Sequence, residues 1–373
     1  MHVGYASLFQ NPHNALTDRE VWQQELRMAL LAEPLGFDSV WTVEHHFTDY
    51  TMSPDPVQWL TYIAGKTERV KLGTMVIVLP WHDPVRVAEQ ISVLDHLSDG
   101  RMILGLGRGL GRVEYDGFRL DMNEARETFV EYAEMVINGL ENGYVEGGAT
   151  LNQPRRDIRP RPFKSFRGRT YAAAVSPESV EIMANLGIGM LVIPQKPWEV
   201  VAKDFELYYQ TWDQVNPGVP RPKPLCGGFF FVDENEDRAK TLGNQYVQAY
   251  YHTAMRHYEM AAEHFGKAKG YDFYANVGKF IDRHGLDGAA EAFAKLMPIG
   301  TPDQVMDQLR YIHGVIDNNG VMVQTSYAGM PWKEAERNLR CFAEHCLPQL
   351  KAWDTDPLSE PADLALPTLA TTD

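Results

Sequence analysis

Short apolar segments alternate with amphipathic helical segments along most of the chain, and this alternation constrains the fold more than any other feature. The predicted strands are 3–9, 40–43, 70–79, 102–106, 170–175, 190–193, 225–232 and 321–327. Strands that alternate with helices indicate an α/β protein with a parallel sheet. Eight repeats favour a (β/α)8 TIM barrel, and a doubly wound sheet is the alternative.

Length and charge narrow the class of protein. The chain has 373 residues and a formal net charge of −15, which argues against a nucleic acid as its main partner. The sequence shows neither a membrane-spanning apolar run nor a signal peptide. Its three cysteines, an odd number without metal-ligand spacing, predict reduced thiols in the cytoplasm.

The alternation also predicts how the chain is divided. We expect one domain over residues 1–353, with a basic, proline-containing surface insertion at 147–169. That insertion is either a solvated loop or a phosphate contact. A polar, glycine-containing stretch at about 266–288 predicts a mobile excursion. The last 20 residues, 354–373, contain prolines, acids and threonines and predict a disordered tail.

The second predicted strand runs directly into Glu44, His45 and His46. Parallel α/β folds place their chemistry at the carboxyl ends of strands, so these groups are candidates for a functional site. Neighbouring strand residues point to opposite faces, so His45 is predicted to act separately from Glu44 and His46. A neutral histidine in a dry pocket is suited to moving a proton. We expect no metal, because adjacent strand histidines cannot both reach one ion.

Two later turns have the chemistry of a phosphate site. The glycine-rich segment 104–112 permits close backbone approach, and Arg108 offers two donors to a phosphate. The segment from Ser176 to Ser179 begins a helix, where free amides and hydroxyls bind anions. An ordinary turn and plain helix capping are the alternatives. Together the two turns predict a phosphorylated cofactor near His45.

Several blocks of the sequence resemble the bacterial luciferase-like flavin-dependent monooxygenases, especially the luciferase α subunit. The resemblance extends to about Trp353 and rests on several blocks in order. They are 37–48 (FDSVWTVEHHFT), 73–80 (GTMVIVLP), 94–101 (LDHLSDGR), 108–110 (RGL), 176–181, 269–273 (KGYDF) and 300–302.

The resemblance implies a (β/α)8 barrel that binds reduced FMN, reacts it with O2 and forms a C4a-(hydro)peroxyflavin. His45 corresponds to the catalytic histidine, Tyr250 to a substrate-pocket aromatic, and 266–288 to a lid. Met75 and Val76 would lie behind the flavin ring at a non-proline cis peptide. The remaining implied cofactor contacts are Arg108, Leu110, Arg126, Val175, Ser176 and Ser179. A small hydrophobic carbonyl, aromatic or terpenoid compound is the implied substrate.

Two departures from the luciferase pattern argue against light emission. Gly107 stands where luciferase has a reactive cysteine, and Val175 replaces an acidic residue. We therefore expect a homodimeric, two-component monooxygenase supplied with FMNH2 by a separate NAD(P)H:flavin reductase. The alternatives are F420-dependent hydride transfer, non-luminescent aldehyde oxidation, a metal-dependent hydrolase and a non-catalytic β-like subunit.

Overall fold

A computed structural model describes residues 1–173, 176–260, 263–356, 358 and 360–366. Its centre is a closed barrel of eight parallel strands. They are β1 (His2–Ser7), β2 (Ser39–Thr42), β3 (Lys71–Thr74), β4 (Met102–Gly107), β5 (Thr170–Ala173), β6 (Gly189–Val192), β7 (Leu225–Phe229) and β8 (Gly320–Gln324). Each strand pairs with its neighbours in chain order, β1 pairs with β8, and the β3–β4 pairing completes the ring. The predicted (β/α)8 barrel is confirmed and the doubly wound alternative is wrong.

Helices surround the barrel and connect its strands. In the described residues they are Asp18–Leu35, Pro56–Ala64, Pro84–Leu97, Arg112–Phe118, Ala125–Asn142, Pro177–Leu186, Trp198–Val215, Glu236–His257, Asp272–Ala294, Pro302–Ile316, Trp332–His345 and Leu347–Lys351. Short 3-10 turns occupy Pro12–Asn14, Leu79–Trp81, Met122–Glu124 and Glu263–Gly266. Outside the eight barrel strands lie Ile77–Val78, Tyr144–Gly147, Gln153–Asp157, Phe231–Val232 and Ile299–Gly300. In the part of the chain that the structure describes, no helix is long and apolar enough to cross a membrane.

Local sequence explains where the first helix begins and ends. Thr17 caps Asp18–Leu35 through a reciprocal capping box with Glu20, and Gly36 ends it in the left-handed conformation at φ 93°. Each contact satisfies backbone groups that a helix end leaves without a partner. Thr17 and Gly36 therefore set the two ends of this helix.

The barrel interior is filled by large side chains that face small neighbours. Trp41 on β2 is fully buried. A Cβ added to Gly4 or Gly73 would lie within 2.5 Å or 2.2 Å of the Trp41 ring. Glycine on both neighbouring strands therefore makes room for the indole, whose Nε1–H donates to Ser39 Oγ at 2.6 Å. This packing fixes β2, whose carboxyl end leads into His45.

Two predicted segments differ from the structure. The stretch 70–79 is two strands, because a cis peptide between Met75 and Val76 separates β3 from Ile77–Val78. That cis bond was itself predicted from the family resemblance and is confirmed. The predicted excursion at 266–288 is mostly helix, Asp272–Ala294, with a kink at Gly285. Its buried Ile281, Ala289 and Phe293 supply a helical face that the glycines and polar residues obscured.

The insertion and the chain end also pack differently from the prediction. Tyr144–Gly147 and Gln153–Asp157 pair as an antiparallel hairpin. Arg169, predicted as part of a basic surface patch, is buried and forms a bidentate ion pair with Asp95 at 2.6 and 2.9 Å. The predicted disordered tail is wrong for 360–366, since Leu364 N–H donates to Phe163 O and Ser165 N–H to Ala362 O. Residues 367–373 lie outside the described residues.

Candidate active site at the carboxyl ends of the strands

A cavity of about 600 Å³ opens at the carboxyl ends of the barrel strands. Of the predicted site residues, it is lined by His45, Met75, Val76, Arg108, Leu110, Arg126, Ser179 and Tyr250. Ser176 contacts Ser179 from the neighbouring helix start. Val175 lies outside the described residues. The predicted residues that the structure describes therefore belong to one site, although they come from six different parts of the chain.

His45 lies at one end of the cavity with a partner on each ring nitrogen. Its Nδ1 is 3.0 Å from Oε1 of Glu114, and its Nε2 is 3.3 Å from the Tyr258 hydroxyl. The His46 backbone N–H donates to the same Glu114 oxygen at 2.9 Å. These contacts fix the position and rotation of the imidazole before any ligand binds.

Glu114 is a fully buried carboxylate between two histidines. Its second oxygen lies 3.5 Å from Nε2 of His257, whose Nδ1 is 2.8 Å from the Thr48 hydroxyl. Burial alone would raise the pKa of Glu114, but His45 and His257 outweigh it and lower the pKa to about 2. Burial lowers the pKa of His257. Glu114 is therefore ionised across the physiological pH range.

Glu44 and His46 form a separate cluster, as the strand alternation predicts. Oε1 of Glu44 lies 3.1 Å from His46 Nε2 and 2.6 Å from His82 Nε2. Its Oε2 accepts the backbone N–H of Val78 at 2.8 Å. Glu44 thereby ties the end of β2 to the strand that follows the cis peptide, which is a supporting role for the cavity wall.

Three phenols lie close to one another near His45: Tyr50 is buried, and Tyr250 and Tyr258 are partly buried. The hydroxyls of Tyr50 and Tyr250 are 2.7 Å apart, and the rings of Tyr50 and Tyr258 have centroids 5.5 Å apart. Burial is the main cause that raises the pKa of all three phenols. They are therefore neutral hydrogen-bond donors in this pocket. Tyr250 also packs against Phe229, with ring centroids 3.7 Å apart.

Positive charge is concentrated in a second part of the cavity lining, the arginine end, which contains Arg108 and Arg126. Arg108 and Arg126 both donate to the carbonyl oxygen of Gly270, at 3.0 and 3.1 Å. The Arg108 guanidinium also stacks 3.9 Å above the Tyr271 ring. Their shared acceptor places the two cations close together, beside the start of the helix that Ser176 caps.

That helix start supplies neutral donors to the same end. The Ser176 side chain accepts the Ser179 N–H, and the two hydroxyls lie 2.9 Å apart. Two guanidiniums, two hydroxyls and a helix start together have the donor chemistry of a phosphate site.

Gly107 lines the cavity and has no room for a side chain. A Cβ on Gly107 would lie 2.2 Å from Cγ2 of Val76. The glycine is therefore required by the close approach of β4 to the segment that follows the cis peptide. This is a physical reason for the absence of the luciferase cysteine, because a thiol at this position would displace Val76.

Comparisons with known proteins agree with this geometry. The sequence profile described as "Luciferase-like monooxygenase" matches residues 1–318. The chain belongs to the luciferase-like monooxygenase family. It is 27% identical over 326 residues to the alkanal monooxygenase alpha chain of Photorhabdus luminescens, covering 84% of this chain and 86% of that one. The crystal structure of the monooxygenase RslO1 from Streptomyces bottropensis has a TM-score of 0.75 and 28% identity, covering 94% and 100%.

Two more distant structures share the fold. One is the oxygenating constituent of 3,6-diketocamphane monooxygenase from Pseudomonas putida in complex with FMN, with a TM-score of 0.70, 16% identity, and 94% and 98% coverage. The other is the F420-dependent tetrahydromethanopterin reductase of Methanopyrus kandleri, with a TM-score of 0.63, 20% identity, and 93% and 99% coverage. The fold is thus common to a flavin and a deazaflavin enzyme.

Sequence reasoning missed Glu114, His257, Tyr258 and Tyr50 in this luciferase-like monooxygenase. The weak signal available for Glu114 was its position six residues after Arg108, at the end of the same turn. His257 and Tyr258 gave only a run rich in tyrosine and histidine. The ligand atoms of His45, Glu114 and His257 lie within 4.8 Å of one another, a spacing that could hold a metal ion. The direct His45–Glu114 contact of 3.0 Å accounts for the same cluster as a hydrogen-bonded set.

Proposed function

We propose that this protein is a flavin-dependent monooxygenase that uses reduced FMN and O2 to oxygenate a small hydrophobic carbonyl, aromatic or terpenoid substrate. One observation carries the proposal. A single cavity is lined by the two cations Arg108 and Arg126, by the His45 imidazole and by many apolar side chains. A flat cofactor with a phosphate tail requires that distribution of charge.

The residues present fit FMN. The phosphate would be held by Arg108, Arg126, Ser176 and Ser179, whose donors already converge on one region. The ring would lie against Met75 and Val76, and Leu110 would contact the same cofactor. When bound and reduced, FMN supplies the electrons that activate O2 for transfer of one oxygen atom. Val175 belongs to the same segment of the proposal but lies outside the described residues.

The other side of the cavity would hold the substrate. Phe229, Tyr250 and Phe293 pack against one another there, with Tyr250 in contact with both phenylalanines. Aromatic walls exclude water and favour an apolar compound. The Tyr50–Tyr250 pair offers hydroxyl hydrogen bonds to a substrate oxygen, and His45 would move protons at the reacting end.

We further propose that a separate NAD(P)H:flavin reductase supplies the reduced flavin and that two copies of the chain form a homodimer. The first proposal is supported by the relative whose description calls it an oxygenating constituent.

The direct test combines FMN binding with a substrate screen. Oxidised FMN is titrated by fluorescence, and then aldehydes, ketones and phenols are incubated with the protein, FMN, NADH and an added flavin reductase. The proposal predicts saturable FMN binding and an oxygenated product only when both proteins are present. Full-rate NADH oxidation by the purified protein alone would contradict the two-component arrangement. Substrate turnover with reduced F420 and no O2 uptake would favour hydride transfer instead.

A further inference from the structure

His45 has no free ring nitrogen in this structure. Glu114 occupies Nδ1 at 3.0 Å and Tyr258 occupies Nε2 at 3.3 Å. Tyr258 lines the cavity and is partly buried, while 85% of the His45 side chain is shielded from solvent. Both ring nitrogens of His45 are therefore already hydrogen-bonded, and the Tyr258 hydroxyl lies next to the nitrogen Nε2.

The chemistry of Glu114 determines the direction of these hydrogen bonds. An ionised carboxylate can only accept hydrogen bonds, and its Oε1 already accepts the His46 backbone N–H at 2.9 Å. The proton between Glu114 and His45 therefore lies on Nδ1. In neutral His45 this leaves Nε2 as an acceptor, so the Tyr258 hydroxyl must donate to it.

We propose that Glu114 and Tyr258 are positioning residues for His45, with Glu114 holding the Nδ1–H tautomer and the Tyr258 hydroxyl relaying protons between the cavity and Nε2. The catalytic consequence rests on the proposed function, whereas the tautomer does not. A carboxylate that orients a histidine in this way is a recurrent arrangement in acid–base sites.

The relay balances as a coupled transfer of two protons. A hydroxyl in the cavity gives its proton to the Tyr258 oxygen as the O–H bond of that donor breaks. The proton of Tyr258 moves at the same time to Nε2 of His45, and the resulting imidazolium is stabilised by the Glu114 carboxylate. The reverse transfer returns one proton to the cavity, so Tyr258 is neutral before and after.

His257 completes the support of Glu114 from the other side. Its Nε2 lies 3.5 Å from Oε2 of Glu114, and both atoms are buried without a closer hydrogen-bond partner. Tyr50 stacks on the His257 ring at a centroid distance of 4.6 Å. The helix Glu236–His257 ends at this point, and Tyr258 follows it directly. One helix end therefore supplies both the phenol and the second histidine.

The first test reads the tautomer directly in the protein without cofactor. Long-range ¹H–¹⁵N spectra of histidine-labelled protein are recorded at neutral pH, and the His45 signals are assigned by their loss in His45→Gln. We expect a protonated Nδ1 and an unprotonated Nε2. Glu114→Ala should give a mixture of the two tautomers, because Nδ1 then has no carboxylate acceptor. A wild-type His45 with its proton on Nε2 contradicts the proposal, whatever the variant does.

The second test separates positioning from substrate binding. Tyr258→Phe should lower kcat by about 10- to 100-fold, the loss expected for a hydrogen bond to a charged group, with KM changed by less than about threefold. Tyr171→Phe removes a buried phenol that does not line the cavity and should keep the wild-type kcat. An unchanged kcat in Tyr258→Phe overturns the relay.

Two further results distinguish the hydrogen-bonded cluster from a metal site and separate it from the proposed function. Elemental analysis should find no stoichiometric divalent metal in the isolated protein. A bound metal at His45, Glu114 and His257 would overturn the hydrogen-bonded assignment, since a metal would replace the Nδ1 proton. If the expected tautomer is found but wild-type protein oxygenates no tested substrate, the proposed function fails while the tautomer assignment stands.

Discussion

The two ends of the cavity differ in how their polar groups are paired. At the His45 end, each charged group is matched by a side chain of opposite character, as in the 3.0 Å contact between His45 and Glu114. At the other end, Arg108 and Arg126 share the backbone carbonyl of Gly270, which is a neutral acceptor. In the described part of the chain, the one carboxylate near them is the exposed Glu178, 4.0 Å from Arg126. The polar groups at the His45 end are hydrogen-bonded to one another before a ligand binds. At the arginine end, a phosphate dianion would replace the Gly270 carbonyl as the acceptor and would bind the two cations more strongly.

This difference predicts separate roles for the two ends. Preorganised polar groups in a dry site contribute to the reaction step because they need not rearrange as charge develops. Arg108 and Arg126, which would exchange the Gly270 carbonyl for the cofactor phosphate, contribute to the affinity for the cofactor instead. Variants at the His45 end should therefore alter turnover, and variants at the arginine end should alter cofactor binding.

The largest expected effect follows removal of the imidazole. His45→Ala should lower oxygenation by about 10²- to 10⁴-fold, the usual contribution of an acid–base group, while FMN affinity stays within a few-fold of wild type. Product formation and FMN fluorescence titration measure the two quantities. His96→Ala, at a histidine outside the cavity that bonds Arg161 O, is the control. Loss of FMN binding in His45→Ala would remove the distinction between the ends.

The next effect concerns the arginine end. Arg108→Ala or Arg126→Ala should weaken FMN binding by about 10- to 100-fold, because each removes a charge-assisted hydrogen bond to the phosphate. The kcat at saturating flavin should fall far less. Arg112→Ala serves as the matched control, since Arg112 lies in the same turn but pairs with Glu259. Equal losses in all three variants would indicate a general electrostatic effect rather than a phosphate site.

The third effect is a pH dependence of stability that belongs to the His45 end alone. The pKa of Glu114 is about 2 when folded, below its ordinary value of 4.5. A depressed pKa stabilises the folded state above pH 4.5, and that stabilisation is lost as the pH falls toward 2. The wild-type advantage over Glu114→Gln in the free energy of unfolding should therefore shrink by about 2 kcal/mol between pH 5 and pH 3.

Urea denaturation of both proteins across that range measures the difference. The arginine end provides the internal comparison, because arginine does not titrate between pH 5 and pH 3. The difference between wild type and Arg108→Ala should accordingly be flat with pH. A flat difference for Glu114→Gln as well would mean that Glu114 is not held ionised by its histidines.

The smallest expected effect concerns Tyr250, which lines the cavity. Tyr250→Phe removes the hydroxyl that contacts Tyr50 but keeps the ring that packs on Phe229. Substrate KM should rise by about 3- to 10-fold, the contribution of one neutral hydrogen bond, with kcat nearly unchanged. Steady-state kinetics with an oxygen-bearing substrate measure both constants. A loss in kcat as large as that of His45→Ala would assign Tyr250 to the reacting end.

The sequence predicted the barrel and part of the site because both depend on local patterns. The alternation of apolar strands and helices, the cap at Thr17 and the charged end of β2 are readable over a few residues. Glu114, His257 and Tyr258 were not found, since they reach His45 from distant helices and no spacing relates them to it. The helix Asp272–Ala294 was missed because its glycines suppress the helical period, although Phe293 and its neighbours bury one face.

An isotope experiment tests whether the protein transfers an oxygen atom from O2. The protein is supplied with FMNH2 from an added reductase under ¹⁸O2, and the product of a responsive substrate is analysed by mass spectrometry. We expect one ¹⁸O atom in each product molecule and loss of that product in His45→Ala. Turnover that proceeds without O2, or a product that contains no ¹⁸O, would contradict it.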